Sequence, residues 1–153
     1  MQPVLFIGHG SPMNAIEDNP FTQALGTIKQ TLPSVPKAIL VVSAHWLANA
    51  SFVSTTSEPK TIHDYFGFPP ELYKQQYPAP GAKEIAGKLL KTVPDLKEDD
   101  EMGLDHGAWS ILKHIFPKAD IPVFQLSINC HKTMQSHYEL GKQLSYLRSH
   151  NVL

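Results

Sequence analysis

The chain has one cysteine, Cys130, in 153 residues. That excludes an internal disulfide, a zinc knuckle built on cysteine pairs and a dithiol redox motif, and a lone Cys130 reads as a small buried hydrophobe. Excess charge is also absent, because 13 Lys and Arg face 14 Asp and Glu for a net charge of −1. Such a balance offers no electrostatic footprint for a nucleic-acid backbone or an anionic membrane, so neither is an expected partner and a small molecule is. No apolar run approaches the roughly 20 residues that cross a bilayer. The opening "MQPVLFIGHG" has neither a basic n-region nor a small-residue cleavage site, so the expected location is cytoplasmic. There is no internal repeat and no low-complexity tract, and the length suits a single domain.

What the chain does have is histidine, eight residues in all. Two of them occupy matched positions. "PVLFIGHG" is an apolar run that stops at Gly8 and delivers His9, and "KAILVVSAHW" is a β-branched run that ends in small residues and delivers His45. Strand-like runs are expected at Val4–Ile7, Ala38–Val42, Ser51–Thr55 and Pro122–Ile128. Helical signals lie between them. Asn19-Pro20 reads as an N-cap with proline at N1, opening an amphipathic helix that Pro33 ends. Ala82 to Val93 carries Ile85, Ala86, Leu89 and Leu90 at helical spacing, with Pro94 behind them. "DHGAWSILKHIFP" reads as a helix capped by Asp105, and "SHYELGKQLSYLR" as a fourth helix. Near-continuous apolar strands joined by helical crossovers predict an α/β fold of three layers, a mostly parallel sheet with helices on both faces. In such folds ligands bind beyond the carboxyl ends of the strands, so His9 and His45 are expected to follow adjacent parallel strands and to converge.

Two imidazoles meeting at a polar strand edge make a natural site for zinc or divalent iron, although either ring alone is better explained by a loop hydrogen bond. His106, in "MGLDHGAW", falls in the first turn of the third helix, where the dipole favours a neutral ring able to accept and return a proton. The simpler role for His106 is to help cap the helix beside Trp109. "TIHDYFGFPPELY" is an irregular aromatic loop of the kind that covers a site. Tyr65, Phe66 and Phe68 could wall a flat apolar ligand, and His63 and Asp64 are second-rank candidates. His131 and His137 follow the last strand and could approach the same edge, whereas His114 and His150 read as solvated surface.

"GHGSPM", "SAHW", "HDYFGFP", "YPAPG" and "GLDHGAW", in this order, make the chain resemble the class III extradiol ring-cleavage dioxygenases of the LigB superfamily, and most of all their 4,5-DOPA extradiol dioxygenase-like branch. The resemblance covers essentially residues 1–153, as the N-terminal portion of a single LigB-like catalytic domain. It implies metal-binding roles for His9 and His45 and a catalytic role for His106 on the substrate side, while His63, Tyr65 and Phe66 are expected to contact the substrate from the aromatic loop. It further implies Fe(II) or Zn(II) as cofactor, and a small aromatic diol and O₂ as partners. Members of the branch are longer, and Asn151-Val152-Leu153 reads as the start of another apolar strand, so truncation is expected, with a weak two-histidine site and an open sheet edge that a homo-oligomer would cover. Two other readings fit parts of the pattern. "GHGS" after a first strand also resembles metal chelatases, and a truncated domain could bind metal without turnover.

Overall fold

Strand residues alternate between two buried faces, and that alternation builds the molecule. The computed structural model describes residues 1–153. Four strands form one sheet: β1 (Ile39–Ala48), β2 (Ser51–Ser54), β3 (Leu96–Asp99) and β4 (Val123–Asn129), in the order β1-β4-β2-β3. Five helices flank them: α1 (Pro20–Thr31), α2 (Pro70–Tyr73), α3 (Lys83–Thr92), α4 (His106–Ile115) and α5 (Met134–Leu144). Ile39, Val41 and Val123 point to one face, where Leu25 of α1 and Trp109, Ile111, Leu112 and Ile115 of α4 cover them. Leu40, Phe124, Leu126 and Val53 point to the other, against Ala86 and Leu89 of α3 and Leu147. The three-layer α/β expectation holds.

β1 pairs with β4 in parallel and so does β2 with β3, but β2 meets β4 antiparallel, so the sheet is mixed at its centre. β3, "LKED", was not anticipated, because four largely polar residues at a sheet edge carry no alternation to read. The expected strand at Val4–Ile7 does not form. Residues 3–8 take part in none of the backbone–backbone hydrogen bonds, and Val4 and Phe6 are 76% and 102% exposed. Apolar composition proposes a strand, but only a neighbouring ladder makes one. Such a ladder does begin at Asn151-Val152-Leu153, where Val152 bridges Ala38 in parallel and Leu153 N–H donates to Ala38 O at 3.0 Å. Cys130 corrects another expectation. It is exposed just past the end of β4, with Sγ 3.1 Å from Ala48 O.

The strand that bears His45 is irregular where it matters. Val42 pairs with Leu126, yet the next partners are Leu47 and Ile128, so β1 uses five steps where β4 uses two. The extra length is a bulge holding Ser43, Ala44, His45 and Trp46, a device that re-aims side chains at sheet ends. His45 therefore lies inside β1 and not beyond it. The helices match their caps. Asn19 caps α1 by accepting from Phe21 and Thr22 N–H, with Thr22 Oγ1 accepting from Asn19 N–H in return. Asp105 caps α4 through Ala108 N–H. The fourth expected helix ends at Leu144 and continues as a 3₁₀ turn, Ser145–His150.

Candidate metal centre

Three elements deliver three imidazoles to one point. His9 leaves its unpaired segment through Gly10, whose φ of +67° is the left-handed conformation glycine adopts without strain. Asn14 fixes that turn by donating from Nδ2 to His9 O at 3.0 Å. His45 comes from the bulge in β1, and His106 is the first residue of α4. One ring nitrogen of each lies within 4.8 Å of the others. The Nε2 atoms of His9 and His45 are 2.8 Å apart, and the His106 ring centroid is 4.9 Å from that of His9 and 4.2 Å from that of His45. His9 and His45 do converge, but neither follows the end of a regular strand.

One buried carboxylate ties the elements together. Asp105 Oδ1 accepts from Ala108 N–H at the start of α4 and from Ser43 Oγ–H at 2.8 Å in the bulge. Ser43 Oγ in turn accepts from His45 N–H at 3.1 Å. The strand histidine and the helix histidine are thus fixed to one side chain. Gly107 lets the rings close up, since a Cβ there would stand 2.8 Å from His45 Cδ2 and 3.4 Å from His9 Cδ2. Ser43 and Gly107 were not singled out from the sequence. Each sits beside a candidate histidine, in "SAHW" and "DHGA", and adjacency was the available signal.

The electrostatics favour a neutral His9 ring. Burial lowers the His9 pKa, the neighbouring His106 and His45 lower it further, and Asp105 opposes them only in part. Neutral imidazole is the form that binds metal. His9 Nδ1 is buried with no hydrogen-bond partner. Asp64 approaches from the aromatic loop, its Oδ1 accepting from His106 N–H at 2.9 Å and lying 2.9 Å from His106 Nδ1. Its Oδ2 is 3.8 Å from His45 Nδ1. Burial alone would raise the Asp64 pKa, but the hydrogen bonds from His106 outweigh it and hold the carboxyl below its ordinary value.

The donor set fits a divalent transition ion. His9 and His45 offer two imidazoles, which suit zinc and divalent iron, and His106 brings a third ring nitrogen within 4.8 Å of them. Two nitrogens each 2.0–2.1 Å from one tetrahedral ion stand about 3.4 Å apart, so His9 and His45, now at 2.8 Å, need to separate by about 0.6 Å.

Around this centre the loop residues divide. The Tyr65 ring lies 5.5 Å from His106, its hydroxyl donates to Leu72 O at 3.2 Å, and burial, with Tyr73 and Asp64 nearby, pushes its pKa up to about 12. Phe68 packs edge-on against Tyr65 at 5.3 Å. His63 lies outside the cluster, with Nε2 at 2.9 Å from Gln75 O and its ring beside Trp109. Phe66 is 92% exposed. His131 is exposed, and His137 holds Asn129 O at 3.1 Å, so neither joins the triad. His114 departs from its expected solvated role. It is half-buried, with Nε2 2.7 Å from Asn14 O, and so braces the turn that follows His9.

Known proteins resemble this chain along nearly its whole length. The chain is 44% identical to a 4,5-DOPA dioxygenase extradiol of Escherichia coli (strain K12) over 99% of its own length and 56% of that protein's. It is 40% identical to a 4,5-DOPA dioxygenase extradiol of Beta vulgaris, over 100% of this chain and 60% of that one. A crystal structure of an uncharacterized protein from Escherichia coli K12 superposes with a TM-score of 0.76 at 37% identity, covering 93% of this chain and 54% of the other. The chain thus spans little more than half the length of these relatives. Residues 3–153 match the family described as the catalytic LigB subunit of aromatic ring-opening dioxygenase, and on that match the chain belongs to the LigB family.

Proposed function

We propose that this chain carries the metal-holding and proton-handling part of an extradiol dioxygenase, which opens the ring of a catechol-type, DOPA-like diol with O₂. The observation that carries the reading is the convergence of His9, His45 and His106 from three separate elements onto one point. Related proteins named 4,5-DOPA dioxygenase extradiol supply the substrate class. His9 and His45 hold the metal. Divalent iron bound there supplies Lewis acidity towards the diol and electrons towards O₂, whereas zinc would supply only the former.

The protein's own groups do the rest. His106, fixed at the start of α4, takes a proton from a diol hydroxyl and returns it to the opened product. Tyr65 offers an aromatic face beside His106, the side on which a flat ring would lie. His63 and Phe66 contribute less to binding, since one is held by the loop backbone and the other faces solvent. A cytoplasmic location and a homo-oligomer that covers exposed Val42 and Leu47 on β1 complete the proposal. No helix is long and apolar enough to cross a membrane.

The test is turnover of DOPA under air with Fe(II), followed by absorbance of the ring-opened product, in the wild-type chain and in His9→Ala, His45→Ala and His106→Ala. The first two variants should lose metal and activity together. His106→Ala should keep most of the metal and lose turnover. An outcome in which His106→Ala loses the metal while His45→Ala keeps it would reverse the assigned roles.

A further inference from the structure

We infer that Asp64 is a positioning residue that sets the tautomer of His106, so that Nδ1 carries the proton and the Nε2 lone pair is the open acceptor. The inference rests on the proton-handling role proposed above for His106. Its evidence is geometric. A single oxygen, Asp64 Oδ1, sits 2.9 Å from the His106 backbone nitrogen and 2.9 Å from its ring Nδ1. The backbone N–H can only donate, so this oxygen acts as an acceptor, and a carboxylate has no proton to offer the ring. Nδ1 must therefore be the donor, which leaves Nε2 unprotonated on a neutral ring.

The double contact also fixes orientation. The backbone N–H belongs to the first residue of α4, one of the helix donors with no partner inside the helix. By holding that N–H and the ring together, Asp64 removes rotation about the His106 side chain as well as the choice of tautomer. The distance of 3.8 Å from Asp64 Oδ2 to His45 Nδ1 is too long for a second bond of this kind, so the control falls on His106. Asp64 comes from the irregular aromatic loop and not from an element bearing one of the three histidines. The loop that shapes the substrate side therefore also sets the acid–base group. A carboxylate that orients an imidazole in this way commonly accounts for a 10–100-fold difference in activity.

The test measures the tautomer directly, by ¹⁵N–¹H correlation spectra of the His106 ring in the full-length chain, first metal-free and then with Zn²⁺ alone. In the wild type, at a pH where the ring is neutral, Nδ1 should show the protonated signature and Nε2 the unprotonated one. Asp64→Ala should shift the ring towards the Nε2–H form and lower kcat for DOPA with Fe(II) 10- to 100-fold, with little change in KM. Asp64→Asn should preserve the wild-type tautomer, because the His106 backbone N–H selects the amide oxygen and so keeps an acceptor opposite Nδ1. Asp64→Asn also tests the proposal if Asp64→Ala does not fold. An Nε2–H ring in the wild type, or one unchanged tautomer in all three proteins, would overturn the inference. A wild-type chain that shows no turnover while Asp64→Ala still changes the tautomer would sink the dioxygenase reading and leave the positioning role standing.

Discussion

Replacing Gly107 with alanine separates the stability of α4 from the fitness of the metal centre. Gly107 is the second residue of α4, and alanine at a helical position is favoured over glycine by about 1 kcal/mol. The added Cβ, however, would lie 2.8 Å from His45 Cδ2 and 3.1 Å from Asp105 Oδ1. The first distance is about 0.6 Å short of an ordinary carbon contact, and Asp105 is buried among its partners and cannot yield. The His45 side chain retains 32% of its exposure and can swing outward. The strain therefore falls on His45. Coordination tolerates deviations of about 0.2 Å, so a displaced ring should cost at least tenfold in affinity, or about 1.4 kcal/mol. The assay is calorimetric titration with Zn²⁺ beside thermal melting in chelator. Gly107→Ala should melt at or up to about 4 °C above wild type while binding zinc at least tenfold more weakly. Wild-type zinc affinity in the variant would show that the ring contacts at Gly107 do not define the site.

Other perturbations test other links. Asp105→Ala removes the cap of α4 and strands the hydroxyl of Ser43, so the urea midpoint should report a loss of about 2–3 kcal/mol; a loss below about 0.5 kcal/mol would contradict the tie between β1 and α4. The His9 pKa is lowered from 6.5 by burial, so the unfolded chain binds more protons than the folded one just below that value. Metal-free protein should therefore lose stability as pH falls below 6.5 towards the folded-state pKa, and regain it as pH rises; a His9→Gln variant with the same slope would refute this origin. Tyr65→Ala should raise KM for DOPA while leaving zinc affinity near wild type, and Tyr65→Phe, which keeps the ring, should stay close to wild type in both.

Much of the fold was legible because its signals are local. Asn19, Asp105 and the prolines at 20, 33 and 94 mark helix ends through caps and steric exclusion, and α1, α3 and α4 fall where those residues place them. The strands were less legible because a ladder needs two parties. Val4–Ile7 has strand composition and no partner, whereas β3 has poor composition and pairs with β2. Within the site, His9 and His45 are legible as a pair because each follows an apolar run that ends in small residues, and His106 because Asp105 caps the helix it opens. What spacing could not reveal was the bulge that places His45 inside β1, since a bulge is visible only in the register with β4. Asp64 stands beside His63 in the aromatic loop, but its partner is 42 positions away in sequence, and no local pattern reports such a bond.

The unpaired first segment gives the triad a second consequence, one of chain connectivity. Residues 3–8 have no ladder to hold them, and His9 lies at their end. An ion shared by His9 and His45 would act as a cross-link, closing a loop of about 36 residues between the amino-terminal segment and β1. On the chain-entropy scale for cross-links, a loop of that size corresponds to about 4 kcal/mol taken from the unfolded ensemble. The cofactor would then be a clasp as well as a reagent, and loading the metal would fasten the far end of the unladdered segment to β1.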